Sequence, residues 1–76
     1  MTKEALERAI EIKHNLEKLE NLRHLMLLPH PEVYSEGHQS VNLISVGEAA
    51  EKDIKESIID AIRRNRLLLE KELESL

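Results

Sequence analysis

Cysteine, tryptophan and phenylalanine are all absent from the 76 residues of this chain. Without Cys no disulfide can staple the fold, and no thiolate is available as a nucleophile or metal ligand. Tyr34 is the single aromatic residue, so stacking platforms for bases and aromatic-lined ligand pockets are nearly ruled out. Gly and Pro number two each, which leaves few breaks and favours long elements. The glycines, Gly37 and Gly47, stand far apart and make no phosphate loop. No apolar run approaches the ~20 residues of a membrane span. The start, Met1-Thr2-Lys3-Glu4, has no apolar signal core behind it. These absences together set the expectation of a cytoplasmic protein with no membrane association.

What is present is charge and aliphatic bulk. Charged residues make up 34% of the chain, with 15 acidic against 11 basic, for a formal net charge of −4. An acidic balance disfavours general nucleic-acid binding, which needs an excess of Lys and Arg on one face. Leu, Ile, Glu, Lys, Arg and Ala dominate, the mix of long amphipathic helices.

The first helix is expected from about residue 3 to about residue 27. Thr2 suits its N-cap, and Glu4 and Glu7 complement the helix dipole. Ala5, Ala9, Ile12, Leu16 and Leu19 recur at 4-3-4-3 spacing and mark one face. Pro29 ends the helix, because it disfavours helical backbone at Leu28 and donates no hydrogen bond. The middle, residues 28–44, holds two strand-like runs, Val33-Tyr34-Ser35 and Val41-Asn42-Leu43-Ile44. Glu36-Gly37 between them can turn a hairpin with Gly37 at positive φ; an irregular loop fits equally. The second helix is expected at about 45–75, opened by a capping box with Ser45 as N-cap and Glu48 at N3. Its apolar residues fall in two adjacent seams. Ile54, Ile58, Ala61 and Leu68 form one; Ile59, Ile62, Leu69, Leu73 and Leu76 form the other. Glu4–Arg8, Glu51–Lys55, Lys52–Glu56 and Asp60–Arg64 are i, i+4 pairs on the remaining faces.

The expected fold is therefore mainly α. Two long amphipathic helices form an antiparallel hairpin, a single domain, with a short β-like or irregular middle. Small Ala5 and Ala9 would face bulky Leu69 and Leu73, as close packing asks. One partner helix cannot cover both seams of the second helix, and open apolar patches mark association surfaces. The expectation is a homo-oligomer, most simply a two-fold dimer forming a four-helix bundle. Ile54, Ile58, Ile59, Ile62, Leu68 and Leu69 are its candidate interface, with Val41 and Leu43 available to pair with their copies. Another helical protein is a further candidate partner.

Candidate chemical sites are sparse. His14, His24, His30 and His38 lack both His-x-x-x-His spacing and an interior Glu-x-x-His, so they read as surface or boundary residues, with no metal or cofactor expected. Arg63, Arg64 and Arg66 form the one basic cluster and carry the alternative reading, nucleic-acid contact. Asp60 and Glu70 lie within pairing distance of it, however, and the segment after it is acidic. Asn65 falls in the Ile58–Ala61–Leu68 seam, where a polar residue can fix register. No nucleophile, base and acid can be assembled, so no enzymatic activity is expected. Ile12 to Leu22, Val41-Asn42-Leu43-Ile44-Ser45-Val46 and Ile58 to Leu73 together resemble small bacterial, prophage-type helical-hairpin (coiled-coil) proteins. That resemblance implies a homo-oligomeric accessory role acting through protein–protein contacts, and it brings no site residues.

Overall fold

The computed structural model describes residues 2–37 and 39–76. It is mainly helical. Helix α1, Lys3–Met26, leads into a ribbon of β1, Glu32–Tyr34, and β2, Ser40–Asn42; a 3-10 turn, Leu43–Val46, then precedes helix α2, Glu48–Ser75. Thr2 caps α1, its Oγ1 accepting from the Ala5 amide at 3.1 Å. At the other end the Leu28 amide reaches back to the Leu25 carbonyl at 3.2 Å, and Pro29 stops the helix as its missing donor requires.

The middle is ordered as an antiparallel ribbon, with Val33 opposite Val41 and Glu32 opposite Asn42. Its second strand is shorter than the apolar run suggested. Leu43 and Ile44 leave the ladder for the 3-10 turn, because Asn42 competes for local backbone. Asn42 Oδ1 accepts from the Ile44 amide at 3.1 Å. Ser45 is drawn into the same turn, donating its hydroxyl to the Asn42 carbonyl at 2.6 Å. The capping box is consequently not formed. Helix α2 begins at Glu48 rather than Ser45, with Gly47 as an N-cap that has no side chain to offer.

The positive φ also falls on the other glycine. Gly47 sits at φ 102°, ψ 149°, a region essentially confined to glycine, whereas Gly37 does not have positive φ. Gly47→Ala is expected to cost about 1–3 kcal/mol through backbone strain alone, since no atom lies within 4 Å of the added Cβ. Gly37→Ala, whose Cβ would meet only Ser35 Oγ at 3.8 Å, should be near neutral. Paired urea denaturation curves read the difference directly.

The two helices lie antiparallel. Arg8 binds Glu72 at the open end, and Lys55 Nζ donates to the Leu28 carbonyl at 2.8 Å near the connection. The face read from the spacing of Ala5, Ala9, Ile12, Leu16 and Leu19 is the one turned inward. Ala9, Ile12 and Met26 from α1 join Ile62 from α2, Leu43 from the turn and Pro31 ahead of the ribbon as the buried apolar residues among those described. The hairpin is a single layer, with principal extents of 49 × 26 × 14 Å.

Candidate interaction surface

A single helical layer has two flanks, and the apolar residues divide between the inside and those flanks. Leu43 and Ile62, expected at an interface with another molecule, are buried within the chain at 5% and 4% exposure. They belong to the hairpin's own core, because Leu43 folds back with the 3-10 turn and Ile62 sits at the centre of the inward stripe of α2. Ile54, Ile58, Ile59 and Leu69 are half-buried. Ile59 and Leu69 line the grooves beside α1. Leu68 stands clear at 66% exposure, and Val41 is half exposed on the ribbon opposite Val33. Leu6, Ile10, Leu25 and Leu67 are open as well.

The grooves between the helices differ in chemistry. One is lined by Asn15, Lys18, Leu19, Leu22, Asn65 and Leu69. The other is lined by Arg23, Leu27, Ile59, Ile62, Arg63, Arg66 and Leu67. The second is laced with ion pairs. Arg23 binds Glu20 at 2.5 Å, Arg66 approaches both Glu20 and Glu70, at 3.9 and 3.3 Å, and His24 also reaches Glu20 at 3.2 Å. Arg63 lies 3.5 Å from Asp60, so the expected Asp60–Arg64 pair is replaced by an i, i+3 pair. Of the basic cluster, Arg64 alone makes no ion pair among the described residues.

Other expected surface pairs also yield to partners across the hairpin. Arg8 turns to Glu11 and Glu72 instead of Glu4. Glu51 is the buried charged residue among those described, at 6% exposure, and its carboxylate faces His30 Nδ1 at 3.2 Å rather than Lys55. An exposed i, i+4 pair is worth only a few tenths of a kcal/mol, so a tertiary contact easily redirects either partner. No local spacing announces the His30–Glu51 contact. It arises because Pro29 and Pro31 fold the chain back onto the first turn of α2, where the helix dipole favours an anion.

The ion pairs have a pH consequence. Hydrogen bonds from Arg8 hold the Glu72 carboxyl below its ordinary value of 4.5, and hydrogen bonds from Arg23 do the same for Glu20. A carboxyl with a depressed folded pKa adds stability that is complete above the unfolded value and lost as pH falls through the folded one. The melting temperature should therefore fall as the pH drops through and below the ordinary carboxyl value of 4.5. Glu72→Gln should flatten that acid limb and lower the neutral-pH melting temperature by the same small amount, because the amide cannot carry what the carboxylate contributes and exposed pairs are weak. An unchanged acid limb in Glu72→Gln would remove Glu72 from the account.

Among the described residues no three His, Asp or Glu side chains gather as a metal ligand set. His14 is exposed, His24 and His30 each face one carboxylate, and His38 lies outside the described residues. Among the described residues no helix is long and apolar enough to cross a membrane. No protein-family model matches the chain, and no curated protein or solved structure was found that is similar to it.

Proposed function

We propose that the chain works as a non-catalytic protein–protein interaction module whose functional unit is a homo-oligomer, most simply a dimer. The single observation that carries this reading is the amount of surface left open. The accessible area is 6004 Å², where a compact monomer of this size exposes about 4,800 Å². The excess, about 1,200 Å², exceeds the roughly 800 Å² that each partner contributes to an interface of standard size. The radius of gyration, 15.8 Å, likewise exceeds the ~11 Å of a compact chain this long. Helical domains normally bury their apolar stripes between two packed layers, and a second copy supplies the second layer. A structural or adaptor role follows, with the assembled bundle holding further partners on its remaining surface.

Nucleic-acid contact through Arg63, Arg64 and Arg66 has less support, since Arg63 and Arg66 already face carboxylates. Sedimentation equilibrium at micromolar concentration is the test. A dimer or higher oligomer is the expected result. A fully helical, stable monomer would overturn the reading.

A further inference from the structure

We propose that the second copy packs α2 against α2, antiparallel and centred on Ala61. This rests on the association reading above and goes further by naming the surface and its geometry. Three residues of α2 repeat at heptad spacing on one flank: Ile54, Ala61 and Leu68. Such a repeat makes a continuous strip along a helix. Ile54 and Ala61 are half-buried and Leu68 is open, so the strip is only partly covered. The small residue lies at the middle of the strip. A two-fold axis through Ala61 lets the backbones approach there and sets Leu68 of each copy against Ile54 of the other.

Charge favours the same arrangement. Asp53, Asp60, Arg64 and Lys71 run along the outer margin of this strip, at 7-4-7 spacing, and all four are exposed. The two acids come before the centre and the two bases after it. Antiparallel pairing about Ala61 brings Lys71 of the second copy to within two residues, about 3 Å of helix rise, of the position opposite Asp53, and Arg64 equally close to the position opposite Asp60, twice over by symmetry. A parallel pairing would set like against like. Among the described residues, Asp53, Arg64 and Lys71 form no ion pair, and Asp60 reaches only Arg63, at 3.5 Å. These charges are therefore available. The opposite flank is not: Glu20, Arg23, Arg66 and Glu70 already bind one another there, and desolvating that network beneath a partner is costly. The open area fits a second copy of this chain, as set out above, and the margin's charge order is self-complementary.

A charge exchange tests the arrangement. Asp53→Lys with Asp60→Lys makes the margin wholly basic; Arg64→Glu with Lys71→Glu makes it wholly acidic. Each variant alone should self-associate about tenfold more weakly or worse, because like charges meet across the interface. Mixed in equal amounts, the two should form a heterodimer of near wild-type affinity in sedimentation velocity at low salt. Ala61→Cys gives an independent reading in a chain without other cysteines: it should cross-link to its own copy on mild oxidation, whereas Leu67→Cys should not. A wild-type oligomer whose affinity neither charge variant alters, or which cross-links through Leu67 and not Ala61, would overturn the interface and leave the association reading standing. A monomeric wild type would overturn both.

Discussion

The melting temperature of the wild-type chain is expected to rise with protein concentration, and Leu68→Asp is expected to abolish that rise. The physical reason lies in what a lone hairpin leaves uncovered. Leu68 is 66% exposed, so in a monomer an Asp there should cost no more than about 0.5 kcal/mol, the difference in helix propensity. In an associated state the same change puts an unpaired carboxylate against apolar neighbours, which is costly. The size of the effect therefore separates the two states. Burial of a Leu or Ile side chain contributes roughly 1.5–3 kcal/mol. A chain of this length holds only about 4–11 kcal/mol in total, at 0.05–0.15 kcal/mol per residue. Two or three such residues moved from water into an interface therefore supply a large share of stability. By mass action, coupled folding and association make the transition concentration-dependent. Ile58→Asp acts on both levels, since Ile58 is half-buried within the hairpin and its spacing puts it in the same seam as Ile54, Ala61 and Leu68. It should remove the oligomer and most of the helicity together. Circular dichroism melts over a hundredfold concentration range, run beside sedimentation, provide the measurement. A wild-type melting curve independent of concentration would count against coupling.

The second large effect is expected inside the hairpin. Ile12 is the fully buried large side chain, at 0% exposure. Ile12→Ala should cost about 2–5 kcal/mol, from lost transfer energy and the cavity left between the helices. In a single layer with so few buried residues, this is a large fraction of the whole. The variant should be substantially unfolded near physiological temperature. Ile10→Ala, two positions away on the exposed side at 50% exposure, should change stability by less than about 0.5 kcal/mol. Urea denaturation of the pair checks the contrast, and similar losses in both would mean that the inward stripe has been drawn on the wrong face.

Local chemistry in the sequence was sufficient for the helices, the cap at Thr2, the stop at Pro29 and the inward face of α1. Each depends on residues within a few positions of one another: a hydroxyl beside a free amide, a missing N–H, a 3.6-residue period. The same locality explains what sequence reading missed at the second helix. Ser45-Val46-Gly47-Glu48 has a valid capping pattern, yet Asn42 engages that backbone first and Gly47 takes the positive φ that spacing assigned to Gly37. A pattern states which hydrogen bonds are available, while competition among them is settled by the chain path.

The surface followed the same division. Composition and the two seams of α2 set the expectation of more apolar burial than one partner helix provides. Which residues remain open was decided by tertiary structure: Leu43 and Ile62 went inside, and Leu68 stayed out. Ion pairing was decided there too. Exposed i, i+4 pairs are too weak to hold Arg8 or Glu51 against partners brought near by the fold, so Arg8 crosses to Glu72 and Glu51 meets His30. Periodicity along one helix fixes a direction around its axis, but the contacts made in that direction depend on the neighbour's register, which only packing sets.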